Sequence, residues 1–317
     1  MTRLPDTPLL ALDDVSVAYG RPGQPGVQAV RGATLQIDRG HILGLVGESG
    51  SGKTSLANAV LRLLPYTTGT IRFDGQECNS LDRSGRCELR PRIQAVFQDP
   101  SSSLSPRRTV RQSLLEPLDH FGIADRSARP SRVAAALESV DLEPALADRL
   151  PSELSGGQRQ RAALARALVS EPDLVIADEP VSSLDVTTQS RIIDTIADLR
   201  RSLGVAFLFI SHDLGVVRRL ADTVAVMYAG RIVEAGPAAR IFSEPAHPYT
   251  KSLLQAAPAA DPARPRPRPP AGEAPAILTA TGGCVFHTRC TEATDICRQQ
   301  EPGESVPDGA KDAEAQH

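Results

Sequence analysis

A chain of 317 residues with a formal net charge of −3 lacks the basic excess that marks a general nucleic-acid binder. Aromatic residues make up 3% and Trp is absent, so stacking on bases is not expected to dominate recognition. Hydrophobic and charged fractions of 41% and 23% are ordinary for a globular protein, and the length can bury a substantial core in one large domain or two small ones.

Residues 1–14 show no basic patch followed by an apolar stretch, so no signal peptide is expected. Residues 9–17 and 32–37 read as strands, the second alternating in the half-exposed manner. Residues 42–46 form a continuous apolar strand that runs into the glycine-rich turn 47–52. A helix over 54–64 follows, stopped by Pro65, and then a short strand over 70–73 before the turn Asp74-Gly75. From about 100 to 160 apolar residues recur at helical spacing without a strong strand, the mark of an inserted helical subdomain. Residues 174–177 and 206–210 read as buried parallel strands separated by a helix over 188–202, and 224–227 with 231–235 as a terminal hairpin. Strand and helix in alternation predict a parallel sheet with helices on both faces. Seven of the eighteen residues from 258 to 275 are Pro, an extended linker. Five Cys, with Cys78 and Cys87 far from the three in the tail, suit a reducing compartment better than a disulfide scaffold. No run of about 18 apolar residues is present, the length that crosses a bilayer. The chain is not expected to span a membrane, though it can dock onto a protein that does.

Three segments carry chemistry. Gly47-Glu48-Ser49-Gly50-Ser51-Gly52-Lys53-Thr54 matches G-x-x-x-x-G-K-[ST] between a predicted strand and helix. Glycines let successive N–H groups turn inward around phosphates, and the helix N-terminus adds partial positive charge. Lys53 is placed for the β- and γ-phosphates and Thr54 for Mg²⁺; Gly47, Ser49, Gly50, Ser51, Gly52 and Ser55 complete the cradle. A chance glycine turn is the competing reading, and the flanking strand and helix weigh against it. The apolar run 174–177 delivers Asp178 and Glu179 at a strand end, where ligands of open parallel sheets bind. Asp178 is placed to hold Mg²⁺ and Glu179 to activate water. Many buried strands end in solvated acids, so this pair gains meaning from the phosphate loop. Leu154-Ser155-Gly156-Gly157-Gln158 opens a helix with a Ser cap and two glycines, a second phosphate-binding helix start.

With these three in this order, residues 9–254 resemble the ABC ATPase family, whose signature is LSGGQ. The resemblance implies an α/β P-loop NTPase (RecA-like) core with an antiparallel β subdomain and an inserted helical subdomain over about 100–165. It assigns Gln98 to the glutamine loop that touches Mg²⁺ and water beneath the membrane subunit. It assigns Asp185, in Ser182-Ser183-Leu184-Asp185, to the loop that crosses the dimer interface. His212 matches the switch histidine at the γ-phosphate, and with Glu179 and Gln98 makes the catalytic set. Tyr19 matches the aromatic that stacks on adenine, with a buried core Tyr as the alternative. In this family each ATP lies between the phosphate loop of one subunit and the signature of the other, so Ser155, Gly156, Gly157 and Gln158 are expected to face a partner's nucleotide.

His247-Pro248-Tyr249-Thr250, the opening Val46-Gly47-Glu48 and the tail Gly283-Cys284-Val285-Phe286-His287-Thr288-Arg289-Cys290 resemble the ATPases of dipeptide, oligopeptide and nickel importers. That branch implies an ATPase domain over 1–254, a Pro-rich linker over 255–276 and a separate cysteine tail over 277–317. It implies ATP and Mg²⁺, a second ATPase subunit (paralogue or self), two membrane-spanning permease subunits, an external solute-binding protein, no nucleic acid, and a peripheral place on the cytoplasmic face of the membrane. Some relatives bind an iron–sulfur cluster there through four Cys. Here Cys284, Cys290 and Cys297 make a candidate [4Fe-4S] set, with His287 or His317 as a fourth ligand and plain thiols as the alternative. Other ABC ATPases are the competing classes. Repair or chromosome proteins carry long coiled coils or zinc modules between the loop and the signature, translation factors carry two ATPase units, and the Pro-Tyr-Thr segment and the cysteine tail weigh against an exporter.

Overall fold

The computed structural model describes residues 7–20, 26–99, 103–256 and 283–300. The expected linker, from residue 257 on, and the end of the tail, from residue 301, lie outside the described residues. So do residues 21–25, which follow Tyr19.

Six strands make the central sheet: β3 (Ile42–Val46), β6 (Ile93–Val96), β7 (Leu174–Asp178), β8 (Ala206–Ile210), β9 (Thr223–Tyr228) and β10 (Arg231–Pro237). Their order is β10-β9-β3-β8-β7-β6, parallel except for the β9–β10 hairpin. Every residue of β3 and β8 is buried, as befits strands covered on both faces. A second, antiparallel sheet holds β1 (Leu10–Tyr19), β2 (Val27–Ile37), β4 (Thr68–Phe73) and β5 (Gln76–Glu77) in the order β2-β1-β4-β5.

The two-residue period of the central strands sorts side chains into two cores. Leu43, Leu45, Ile176, Leu208, Ile210 and Met227 face helix α1 (Lys53–Val60) and the antiparallel sheet. Ile42, Val46, Val175, Ala177, Phe207 and Phe209 face the other way. There they meet α5 (Gly156–Leu168), α6 (Val186–Leu203) and α7 (Leu214–Leu220). Between β5 and β6 lies α2 (Arg83–Leu89), and the inserted helical segment holds α3 (Val110–Phe121) and α4 (Arg129–Glu138). Thr109 and Gln112 cap α3 reciprocally, a two-donor solution to its open N-terminus. Arg161 of α5 donates to the carbonyls of Val140 (2.8 Å) and Asp141 (2.9 Å), so it ties α5 to the end of α4 rather than lying on a solvated face.

Some boundaries differ from expectation. Helix α1 ends at Val60 and not at residue 64, because Arg62 takes a left-handed φ of 58° and the N–H groups of Leu63 and Leu64 both turn back to Asn58 O. The second strand starts at Val27, where it pairs with Tyr19.

After β10 come α8 (Ala238–Ser243) and α9 (Pro248–Ala256). The described tail is not separate from the body. Cys284, Val285 and Phe286 join the larger core, and Phe286 packs on Tyr228, Tyr249 and His247 at ring distances of 5.2, 5.4 and 5.9 Å. Glu234 accepts from the N–H groups of Ala246 (2.8 Å) and His247 (3.0 Å), and His247 Nδ1 accepts from Tyr249 N at 3.1 Å.

That last bond needs an unprotonated Nδ1. Burial lowers the His247 pKa, opposed by Glu234 and Glu292 and assisted by Lys251. The unfolded chain takes up this proton from about pH 6.5 downward and the folded chain only at lower pH, so stability falls as pH drops through that range. The melting temperature is therefore expected to decrease from about pH 7.5 to about 5.5, with a shallower decrease in His247→Asn. Equal slopes in the two proteins contradict this assignment.

Candidate active site

The parallel register brings distant segments to one edge. Leu45 of β3 lies opposite Ile210 of β8, and Ile210 opposite Asp178 of β7. Val96 of β6 lies opposite Ala177. The chain thus leaves four strands at one edge, through Gly47, Gln98, Glu179 and His212. Carboxyl ends of parallel strands are where such sheets bind ligands.

Gly52 ends the glycine turn with a φ of 106°, and a Cβ there would sit 2.3 Å from Ala29 O, so no other residue fits. Lys53 is 6% exposed. Its three N–H donors reach Gly47 O (2.8 Å), Glu48 O (2.8 Å) and Ser51 Oγ (3.3 Å), which folds the ammonium over the loop. Burial lowers its pKa, against the opposing fields of Glu179, Asp178 and Glu48. Thr54 Oγ1 donates to Asp178 Oδ2 at 2.8 Å. Burial raises the Asp178 pKa, an effect that the Thr54 bond and Lys53 reduce and Glu179 reinforces. Ser49 and Gly50 are exposed at the loop tip. Tyr19 is 42% exposed with its hydroxyl 3.1 Å from Ser55 Oγ, so it is a surface ring beside the loop and not a core Tyr.

Glu179 sits at a φ of 47°, unusual for a side chain of its size and held by Glu179 N–H donating to Ile210 O at 2.9 Å. Its carbonyl accepts from Ser182 Oγ at 3.1 Å. Its Oε1 lies 3.1 Å from His212 Nδ1. Lys53, Thr54, Asp178, Glu179 and His212 are therefore linked in one constellation, with exposed Gln98 on the same edge.

The signature is a second unit. Ser155 Oγ accepts from Gln158 N (3.3 Å) and Gln158 Oε1 from Ser155 N (2.9 Å), a complete capping box on α5. Gly156 lies against Leu184. At Gly157 the backbone comes so close to α6 that a Cβ would be 2.5 Å from Thr188 Cγ2. Asp185 caps α6 through Thr188 N (3.0 Å) and Thr188 Oγ1 (2.7 Å). Residues 155–158 and 184–188 thus pack as one surface.

The expected iron–sulfur set is not assembled. Cys284 is buried in the core beside Phe286, while Cys290 and Cys297 are half-buried free thiols at its margin. The segment closes through backbone, Cys284 N donating to Cys297 O at 2.8 Å. His287 Nδ1 lies 2.7 Å from Cys284 O. Among the described residues no three His, Cys, Asp or Glu side chains converge as a metal site requires, and His317 lies outside them.

For Mg²⁺ the fit is better. Thr54 and Asp178 bring an alcohol and a carboxylate oxygen together beside a buried ammonium, the hard donors that this ion takes in company with phosphate.

Residues 30–182 match the family described as ABC transporter, and residues 233–297 match the oligopeptide/dipeptide transporter C-terminal region. A probable peptide ABC transporter ATP-binding protein of Sinorhizobium fredii is 43% identical over 93% of this chain and 84% of its own. The chain belongs to the ABC transporter ATPases. A putative peptide import ATP-binding protein of Brucella ovis is likewise 43% identical, over 94% of each chain. Among solved structures, the ATPase resembles cbiO1 of Clostridium perfringens, part of the ABC transporter complex cbiONQ, with a TM-score of 0.67 and 30% identity over 75% of this chain and 91% of that one. It also resembles a dimeric ATP-binding cassette in a post-hydrolysis state bound to ADP and Pi, with a TM-score of 0.64 and 28% identity over 72% and 98%. Among the described residues no helix is long and apolar enough to cross a membrane.

The crowding at Gly52 yields a direct test. Gly52→Ala is expected to weaken binding of a fluorescent ATP analogue by at least about tenfold, the worth of the strain and clash it introduces, with the far-ultraviolet circular dichroism unchanged. Unaltered affinity contradicts the loop geometry.

Proposed function

We propose that this ATPase drives a peptide importer, hydrolysing ATP between its own phosphate loop and the signature of a second ATPase subunit, identical or paralogous. The observation that carries the reading is the Glu179–His212 contact beside Lys53 and the Thr54–Asp178 pair. Lys53 exchanges its loop carbonyls for β- and γ-phosphate oxygens and offsets their charge. Glu179 orients the attacking water and takes its proton, while His212, 3.1 Å away, steadies that carboxylate next to the γ-phosphate. Thr54 and Asp178, with Gln98 on the same edge, would hold Mg²⁺, which would supply further neutralisation of the phosphates. Tyr19 offers a ring to the adenine. Ser155, Gly156, Gly157, Gln158 and Asp185 face the partner's nucleotide, so ATP closes the pair and hydrolysis releases it.

Import of peptides is supported by the match of residues 233–297 and by the names of the relatives. The reading includes two membrane-spanning permease subunits, an external solute-binding protein and a position on the cytoplasmic face. A cleft of about 1010 Å³ opens between the end of α1, α2, β6 and α3. Arg62, Arg83, Arg86, Arg90 and Arg166 line it together with Phe97, the neighbour of Gln98. That lining suits an acidic segment of a permease with an apolar anchor.

Two outcomes are expected. Glu179→Gln retains ATP binding and lowers kcat by at least about a hundredfold, as loss of a general base does; hydrolysis at the wild-type rate removes the assigned role. Arg83→Glu with Arg86→Glu lowers co-purification with the permease while leaving binding of the ATP analogue intact. Undiminished co-purification shows that the permease docks elsewhere.

A further inference from the structure

Glu48, the second residue of the phosphate loop, has each of its polar groups held by a different segment. Its carbonyl accepts from Lys53 Nζ at 2.8 Å and from Ser51 N at 3.2 Å. Its N–H donates to the Tyr249 hydroxyl at 3.0 Å. Its carboxylate takes both arms of Arg289, Nη1 to Oε2 at 2.9 Å and Nη2 to Oε1 at 3.1 Å. Tyr249 belongs to α9 and Arg289 to the tail, 241 residues beyond Glu48. The tail therefore reaches into the nucleotide loop.

The fixation is built on both sides. Arg289 Nη1 also donates to the Tyr228 hydroxyl at 3.2 Å, and the guanidinium lies 5.7 Å over the Tyr228 ring. Arg289 N donates to the carbonyl of Phe286, whose ring is buried among Tyr228, Tyr249 and His247. The Arg289 side chain is 6% exposed, so this pair is unlike the screened surface pairs that contribute little. Bidentate Arg–carboxylate contacts are the strong, geometrically specific kind. An acid inside a phosphate-binding loop also repels its ligand unless its charge is cancelled, and Arg289 cancels it.

We infer that Arg289 is a positioning residue of the nucleotide site: by gripping Glu48 it holds loop 47–54 in the form that receives phosphate. This rests on the reading that the loop binds ATP. A glycine-rich loop has many alternatives of low cost. The apparent dissociation constant is the intrinsic one divided by the competent fraction of the loop, so releasing the grip weakens ATP binding without touching the catalytic groups.

The test uses the full-length chain, a fluorescent ATP analogue with Mg²⁺, and the melting temperature. Arg289→Gln is expected to weaken binding about tenfold, the effect of reducing the competent fraction to about one tenth. Glu48→Gln weakens it less, because it releases the grip but also removes the repelling charge, and the double variant binds no worse than Arg289→Gln, because the two residues act through one contact. Arg289→Lys recovers part of the loss, since an ammonium offers one point of attachment in place of two. Lys251→Ala removes the exposed Lys251–Glu292 pair (3.7 Å), which also joins α9 to the tail, and leaves affinity unchanged. A residue that only glues the tail down lowers the melting temperature in Arg289→Gln and leaves nucleotide affinity at the wild-type value; that result, or additive losses in the double variant, overturns the inference. Should Arg289→Gln not fold, Arg289→Lys and Glu48→Gln decide the same question. Lys53→Ala run alongside separates the two readings: if it binds nucleotide like the wild type, the loop is not the ATP site, whatever Arg289 does.

Discussion

The register of three parallel strands is the constraint on which the site depends. Leu45, Ile210 and Asp178 stand side by side across β3, β8 and β7, so the residues that follow them emerge at one edge within reach of one another. A slip of one residue in any strand would turn its inward set outward. The Thr54–Asp178 and Glu179–His212 contacts would be lost with it. The register is held by the two cores, whose side chains alternate along the same strands. Packing and chemistry are thus set by the same pairing.

Charge is the second constraint. Lys53 lies among Glu179, Asp178 and Glu48, all of which favour its charged form, while burial disfavours it. On the proposed function, a triphosphate would add negative charge to a place that already has three carboxylates nearby. Asp178 is tied to Thr54 and Glu179 rests against His212, and Glu48 is matched by Arg289. Each acid has a local partner, which on that reading would leave the Lys53 ammonium and the loop N–H groups to meet the ligand.

Legibility in the sequence followed the distance over which each feature is specified. The phosphate loop, the acid pair after β7 and the capped signature are short, and residue type at fixed spacing expresses their chemistry. The central strands were legible because burial on both faces makes them continuously apolar. β6 has four residues, Ile93–Val96, of which only the first and last are buried, too little pattern to detect. The early stop of α1 lies in the left-handed turn at Arg62, a conformation that Arg does not advertise. Close spacing of the cysteines in sequence is not matched by a metal-ligand cluster among the described residues, where the segment closes through backbone bonds around Phe286.

The Glu48–Arg289 pair shows most clearly where local reading ends. Neither residue is informative alone, since an acid at the second loop position serves no phosphate and an Arg in a short cysteine-containing segment is ordinary. Together they make an otherwise unfavourable loop acid into an attachment point. The attachment works in both directions: the tail gains a buried ionic anchor, and the loop gains rigidity that its glycines cannot supply. Removing one partner leaves a buried charge uncompensated, which costs more than never having had the pair. In this chain the acid in the loop is matched by a C-terminal segment that folds back to meet it. That mutual dependence ties the nucleotide loop to a segment that follows it by more than two hundred residues.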